Sequence, residues 1–370
     1  MKYSYPLHEP RLGNNELNFV KKCILSGWIS PSGSFVNLFE KKLLKFTQAN
    51  YISCCNSGTS ALHISLKVSG LKPNEEVIVP TITFIATINS VLYNNAHPIF
   101  MDCDDYLNID VVKVINFLEE KTYRYKNNTY NKITNRRIFG ILVSHIFGNP
   151  VDLNLLFSEC SKRNIKIIED AAESLGSYYI KGKFKNNHTG TIGESGALSF
   201  NVNKIITTAA GGAVIFKSLQ RKKEAKLLIN QSKVDDIFFI HRSMGYNYGM
   251  TNINAALGFS QINKIKKIIS LKRKIHNFYK EIFYGHKNFR LVEEPDYARS
   301  NYWLNTVLCK DKIQRDFFLK YTNENNVMTR PSWELMHRLK MFSQCFKADL
   351  NNSEYLSDRI VNIPSSFIHW

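Results

Sequence analysis

Short apolar runs alternate with helical patterns from Tyr51 to Ile168, and that alternation restricts the possible fold more than any other feature of the chain. YISCC leads through a glycine turn into the apolar helix of ALHISLKV. EEVIVP (Glu75 to Pro80) reads as a strand ended by proline, TITFIATINSVLYNN as a helix and HPIFMDCD as the next strand. The series continues with FGILVSHIFGN, a helix from Asp152 to Arg163, and a strand over Ile165 to Ile168 that gives way to a turn at Glu169 and Asp170. Strands this apolar must be covered on both sides, so the expected class is α/β with a mostly parallel sheet between helices. Such sheets bind ligands beyond the carboxyl ends of their strands. NSGTSA, VPTITF, SHIFG, EDAAES and SFNVNK all fall there or in adjoining turns.

A chain of 370 residues exceeds what one core usually holds. The expected division is a large domain over 1–250 and a smaller α+β domain over 251–370, where a long helix is followed by strand-like FRLVEE and NYWLNTVLCK and a helix at Gln314 to Asn323. Near the start, helical patterns from Asn14 to Phe46 flank GWISPSG, whose Gly27, Pro31 and Gly33 forbid a continuous helix and leave Trp28 on an exposed loop. The basic stretch Glu120 to Arg137 has no apolar periodicity and reads as an exposed hairpin or loop.

The formal charge of +18 invites a nucleic-acid or membrane partner. The excess is spread along the chain, however, and its densest run, KIKKIISLKRK (Lys264 to Lys274), has isoleucines at helical spacing with the lysines expected on the opposite, solvated side. No nucleic-acid or membrane partner is expected. Seven cysteines without CxxC or Cys/His spacing read as reduced, mostly buried thiols, and no metal site is expected. MKYSYPLHEPRLGNN has no apolar signal core and no window approaches a membrane span, so a cytoplasmic location is expected.

Three features carry chemistry. Lys204, in SFNVNKIITTAAGGAV (Ser199 to Val214), is followed by Ile205 and Ile206 with no other charge until Lys217. A lysine in a turn is ordinarily a solvated charge, but a desolvated one presents a neutral amine that can act as nucleophile or Schiff-base former. Ser57-Gly58-Thr59-Ser60 opens a helix, a turn that either caps it or binds a phosphate through N–H groups, a hydroxyl and the positive helix end. Asp170 follows an apolar strand and either caps the next segment or holds a proton on a ring nitrogen. No GxxxxGK[ST] or GxGxxG occurs. A Schiff-base lysine, an acid for a pyridinium nitrogen and a phosphate cradle are the parts that pyridoxal 5′-phosphate (PLP) requires.

With those parts in place, the sequence resembles the nucleotide-sugar aminotransferases of the DegT/DnrJ/StrS family, which are PLP enzymes of fold-type I with the aspartate aminotransferase architecture. The segments that carry the resemblance span almost the whole chain: GWISPSGSFVNLFE, NSGTSAL, EVIVPTITFIATINSVLYNNAHPIFMDCD, HIFGNPVDL, IIEDAAESLGS, GTIGESGALSFNVNKIITTAAGGA, GYNYGMTNINAALG and TRPSWELMH. The wording of SFNVNKIITT, EDAAESLG, NYWLN and TRPSWELMH is most similar to the branch serving legionaminic acid and bacillosamine pathways. The resemblance implies that Lys204 is the Schiff-base lysine and proton shuttle and that Asp170 pairs with the pyridine nitrogen. It implies further that Phe84, otherwise readable as core, stacks on the ring, and that Glu173 lies near the O3′ edge. Gly58, Thr59 and Ser199 would hold the phosphate, and Asn247 would reach it from a second copy, making a homodimer with shared sites. Trp28, Ser30, Arg330 and His337 are the candidates for the sugar substrate; a lone histidine is more often structural, and His337 rests on its place in TRPSWELMH.

The implied reaction moves an amino group, with L-glutamate as donor, to C4 of a nucleotide-linked 4-keto-6-deoxy sugar, a UDP- or GDP-2-acetamido-2,6-dideoxy-hexos-4-ulose, for surface glycan synthesis. Two departures stand out: Gly249 occupies a place where many relatives have arginine, and Ala209 or Ala210 one where many have an acidic residue or glycine. A PLP-dependent sugar dehydratase of the same fold is the alternative among enzymes, and Lys204 argues against it because that branch has histidine there. A basic nucleic-acid-binding protein on a degenerate PLP fold is the alternative from another class; the chain has no added helix-turn-helix or aromatic-basic strand motif to support it.

Overall fold

A computed structural model describes residues 3–235 and 237–366. Its larger sheet runs in the order Tyr51–Cys55, Gly212–Phe216, Ser195–Ser199, Lys166–Asp170, Arg137–Ser144, Glu76–Pro80, His97–Met101 and Phe346–Lys347. Pairing is parallel from Ser195–Ser199 through to Phe346–Lys347, and Gly212–Phe216 is antiparallel to both of its neighbours. The central strands are buried along nearly their whole length because helices cover both faces, which is why they read as unbroken apolar runs rather than as alternating ones.

The sheet's topology sets the site. Parallel strands place their carboxyl ends on one edge, so Pro80, Ser144 and Asp170 finish together and the turns after them converge. The strand expected over Ile165 to Ile168 runs from Lys166 to Asp170 and keeps Glu169 and Asp170 within it, since both pair with neighbouring strands. The turn begins after Asp170, and so Asp170 is presented from a rigid strand end.

Glu120 to Arg137 contains the antiparallel hairpin Thr122–Tyr125 with Asn128–Asn131, joined to the large sheet through Thr129 and Tyr130. A second, antiparallel sheet orders Phe289–Leu291, Asn305–Cys309, Ile360–Ile363 and Arg330–Pro331. The helix Asn252–Ile262 packs on the N-terminal helices Asn14–Ser26 and Ser34–Thr47. All seven cysteines are unpaired, Cys345 half-buried and the others buried. No helix of the described residues is long and apolar enough to cross a membrane.

One expected face is different. In the helix Ile265–Phe283, Lys266, Lys267 and Lys274 are exposed as their spacing predicts, but Lys272 lies in the buried stripe with Ile265, Ile268 and Ile275. Spacing places it there, since it stands four residues after Ile268; its charge suggested the opposite side.

Candidate active site

The converging turns enclose a cavity of about 250 Å³ lined by Gly58, Thr59, Phe84, Asp170, Glu173, Ser199 and Lys204. Seven residues proposed from separate motifs therefore meet in one place.

Asp170 forms the floor. Its Oδ2 accepts a hydrogen bond from Thr87 Oγ1 at 2.7 Å and its Oδ1 one from the Ala172 amide at 3.1 Å. Burial pushes the carboxyl above its usual range, and Thr87, the Ala172 amide and Lys204 offset only part of that. A buried acid in this condition is stabilised as an anion by a cation placed against it. Beneath it, the fully buried Glu169 accepts the amides of Gly190, Ile192 and Gly193 at 2.6 to 2.7 Å. His145 Nε2 lies 3.1 Å from Glu169 Oε2, and the ring's Nδ1 accepts the Val151 amide, so Nε2 carries the hydrogen that Glu169 accepts. Burial alone would raise the Glu169 carboxyl, but His145 and the amides outweigh it and hold it below its usual value.

Lys204 projects from the turn after the strand Ser195–Ser199, its amide bonded to the Asn201 carbonyl at 3.0 Å. Its Nζ lies 3.3 Å from Glu173 Oε1 and 3.9 Å from the centre of the Trp303 ring. Glu173 is pushed up by burial, partly offset by Lys204, and its other oxygen accepts the Phe147 amide at 2.9 Å. Phe147 has φ of 53°, a left-handed conformation unusual for a side chain this bulky. It stacks obliquely against Trp333 at 5.3 Å, and Trp333 meets Phe84 edge-on at 5.9 Å, so an aromatic wall closes the side of the cavity.

The remaining wall is the start of the helix Gly58–Val68. Ser57 caps it, accepting the Ser60 amide at 3.0 Å, and the amides of Gly58 and Thr59, which have no acceptor within the helix, sit at the cavity wall. A Cβ on Gly58 would stand 2.7 Å from Ser199 Cβ and 2.9 Å from its Oγ, so only glycine lets this turn close on Ser199. The result is a cradle of amides and a hydroxyl at the positive end of a helix dipole.

A lysine, an acid and an anion cradle around one cavity match what comparison of the whole sequence finds. The model of the DegT/DnrJ/EryC1/StrS aminotransferase family matches residues 10–367. The chain belongs to that family. Among its relatives, a GDP-perosamine synthase of Escherichia coli O157:H7 is 31% identical over 365 residues, covering 99% of this chain and 94% of the relative. Another protein of that name, from Vibrio cholerae, is 30% identical over 363 residues, covering 97% and 93%. Among solved structures, Helicobacter pylori PseC, an aminotransferase involved in the biosynthesis of pseudoaminic acid, superposes with a TM-score of 0.86 at 23% identity, covering 97% of this chain and 93% of that one. The GDP-4-keto-6-deoxy-D-mannose-3-dehydratase of E. coli with bound hydrated PLP gives 0.87 at 20% identity, covering 99% and 96%. These likenesses establish the α/β fold of PLP-dependent sugar enzymes.

PLP, the group bound in the E. coli dehydratase of this fold, fits the cavity. The amine of Lys204 suits an aldehyde, the elevated acid of Asp170 suits a protonated ring nitrogen, and the Gly58–Ser199 cradle, which a Cβ would fill, suits a phosphate.

Five proposed residues lie outside the cavity of the single chain. Asn247 is exposed, its carbonyl receiving Asn56 Nδ2 at 3.3 Å. Trp28 and Ser30 are on an exposed loop pinned by the buried Asn252, whose Nδ2 donates to the Trp28 carbonyl at 2.6 Å and whose amide donates to those of Ile29 and Ser30. Arg330 bonds Asn323 Oδ1 and the Thr329 carbonyl, both at 2.7 Å, beside the Tyr3 ring. His337 bridges Thr81 Oγ1 at 2.7 Å and Glu354 Oε1 at 3.2 Å, and burial lowers its pKa. That is the bonding of a structural histidine. Gly249 has a local reason: a Cβ there would stand 2.9 Å from Pro31 Cγ, so proline of the GWISPSG loop occupies the adjoining space. Sequence reasoning missed Trp303, Trp333, Thr87, Asn252 and the Glu169–His145 pair. All of them lie in segments that carry the resemblance, the tryptophans in NYWLN and TRPSWELMH, but nothing in those segments marked them as site residues.

Proposed function

We propose that this aminotransferase moves the amino group of L-glutamate to C4 of a nucleotide-linked 4-keto-6-deoxy sugar, a UDP- or GDP-2-acetamido-2,6-dideoxy-hexos-4-ulose. The observation that carries the reading is Lys204 and Asp170 in one cavity with the Gly58–Ser199 cradle. The names of the relatives, GDP-perosamine synthases, favour GDP of the two nucleotides and a glycan pathway.

PLP, when bound, supplies the electron sink that lets an amino group leave one carbon and join another. The chain's residues do the rest. Lys204 would carry the proton between the substrate carbon and the cofactor's C4′, its amine kept close by Glu173 at 3.3 Å and covered by Trp303. Asp170 holds the proton on the ring nitrogen. Gly58, Thr59 and Ser199 grip the phosphate, and Phe84 covers the ring. Trp333, backed by Phe147, lines the cavity and would help to exclude water.

Asn247 completes the cradle from a second copy, so the working unit is a homodimer; its exposure and its position outside the cavity of its own chain support this. Trp28, Ser30 and Arg330 contact the sugar nucleotide in the same assembly. The unpaired cysteines support a reducing, cytoplasmic setting. The shared fold of a sugar dehydratase leaves dehydration as the competing chemistry, and the lysine at 204 disfavours it.

Incubation with ¹⁵N-glutamate and each keto sugar, followed by mass spectrometry of the sugar, tests the reading. Label in the sugar is expected with the wild type and none with Lys204→Ala. Loss of oxygen from the sugar without gain of nitrogen, or transfer by Lys204→Ala, would overturn it.

A further inference from the structure

Lys272 is fully buried, and the neighbouring Arg273 shows what it lacks. Arg273 holds the Glu294 carboxylate at 2.7 and 2.8 Å. Lys272 has no carboxylate among the described residues; its Nζ meets three neutral acceptors, His8 Nδ1 at 2.7 Å, the Trp303 carbonyl at 2.8 Å and the Ser365 carbonyl at 2.5 Å. Burial pushes the Lys272 amine well below its usual pKa, and in its protonated form each of its three hydrogens would find one of these acceptors. Burying such a charge without an anion costs stability, so packing alone does not call for a lysine in this stripe.

Two of the three acceptors lead to the active site. His8 Nε2 lies 3.2 Å from the backbone carbonyl of Lys204. A carbonyl can only accept, so Nε2 carries the ring hydrogen and Nδ1 is bare to receive Lys272. Burial, with Lys272 next, lowers the pKa of His8, which agrees with a neutral ring. Trp303, held by its own carbonyl, donates its indole N–H to the Asn203 carbonyl at 2.6 Å and lays its ring 3.9 Å from Lys204 Nζ. Lys272 thus reaches the catalytic turn by two routes. One runs through His8 to the carbonyl of residue 204, the other through Trp303 to the carbonyl of residue 203 and to the amine itself.

We infer that His8 and Lys272 are positioning residues for Lys204, a buried clasp that joins the N-terminal segment, the helix Ile265–Phe283 and the strand leading from Trp303 to the turn that aims the amine into the cavity. This rests on Lys204 being the lysine that binds the cofactor. The clasp holds the main chain on both sides of the Cα, so that the amine meets a carbonyl from one direction only.

The test uses the full-length protein and the variants Lys272→Met, His8→Leu and His8→Gln. Glutamine can donate its amide N–H to the Lys204 carbonyl and offer its oxygen to Lys272; leucine can do neither. Each protein is given PLP at a temperature where melting curves show it folded, and the rate at which borohydride fixes a pyridoxyl group on Lys204 is followed by peptide mass. Lys272→Met and His8→Leu are expected to slow fixation about tenfold to a hundredfold, the size of effect that a misplaced reacting group produces. His8→Gln should recover most of the rate. Wild-type rates in all three, with only the melting temperature moved, would overturn the clasp as a positioning device. If Lys272→Met does not fold, the His8 pair decides, and equal rates for Leu and Gln overturn it. Absence of label on Lys204 in the wild type would defeat the role of Lys204 and this inference together, whereas a labelled wild type with unaffected variants defeats this inference alone.

Discussion

Replacing Asp170 by asparagine separates the two roles a carboxyl can have at this strand end, because it changes charge while leaving most of the bonding possible. The asparagine oxygen can take the Ala172 amide that Oδ1 accepts at 3.1 Å. The new NH₂ would face Thr87 Oγ1, whose hydroxyl now points at Oδ2 from 2.7 Å but can turn toward Thr83 Oγ1 at 2.8 Å. Shape and packing are kept, so the backbone should not move. Without cofactor the variant should be as stable as the wild type or more so at neutral pH. Burial raises the folded pKa of Asp170 above its unfolded value. The wild-type contribution is therefore favourable below the ordinary aspartate range and is lost as pH rises through the folded pKa, and the amide escapes that loss. With cofactor the order reverses, because a neutral amide cannot hold the ring nitrogen protonated. Removal of one preorganised electrostatic group costs about 3 to 4 kcal/mol of barrier, roughly a hundredfold to a thousandfold in turnover. Melting of the apo protein from pH 5 to 8 and single-turnover amino transfer from glutamate give the two readings. Near-normal turnover would refute the pyridinium role and leave Asp170 as a turn cap. A drop of about 1 kcal/mol in apo stability, the usual cost of a lost cap, would refute the reasoning on burial.

Three other outcomes follow from the geometry. Gly58→Ala puts a Cβ 2.7 Å from Ser199 Cβ, an overpacking that should cost about 1 to 3 kcal/mol and weaken PLP retention, and the added change Ser199→Gly should recover part of the melting temperature. Glu169→Gln turns an NH₂ toward donors that the carboxylate now accepts, His145 Nε2 among them, and should lower stability by about 1 to 3 kcal/mol in denaturant titration. Since the wild-type carboxyl is held below its usual value, its stabilisation is present above the ordinary glutamate range and fades as pH falls through the folded pKa, so the difference between the two proteins should shrink in acid. Mixed Lys204→Ala and Asn247→Trp chains should regain activity that neither has alone, because one site of each mixed dimer receives both intact residues; heterodimers that stay inactive would exclude a shared site.

The amino-acid order by itself determined what depends on near neighbours. Alternating apolar runs require a covered parallel sheet, and its strand ends must carry the chemistry, so Lys204, Asp170, Glu173, Ser199, Gly58, Thr59 and Phe84 were legible from the residues beside them and from the family's wording. The extent of the strand through Asp170 was not, because Glu169 and Asp170 look like turn residues until the sheet pairs them and buried donors satisfy them. Only the tertiary structure could bring Trp303 to Lys204, separate His337 from the cavity, or pin the Trp28 loop with Asn252. Lys272 shows the physical reason most clearly. Helical spacing put it on the apolar stripe and charge put it on the solvated one, and the conflict was settled by acceptors on His8, Trp303 and Ser365, distant in sequence and brought to one point by folding. Burial of a polar group is decided by whether partners meet it, and partners of that kind leave no trace in local sequence.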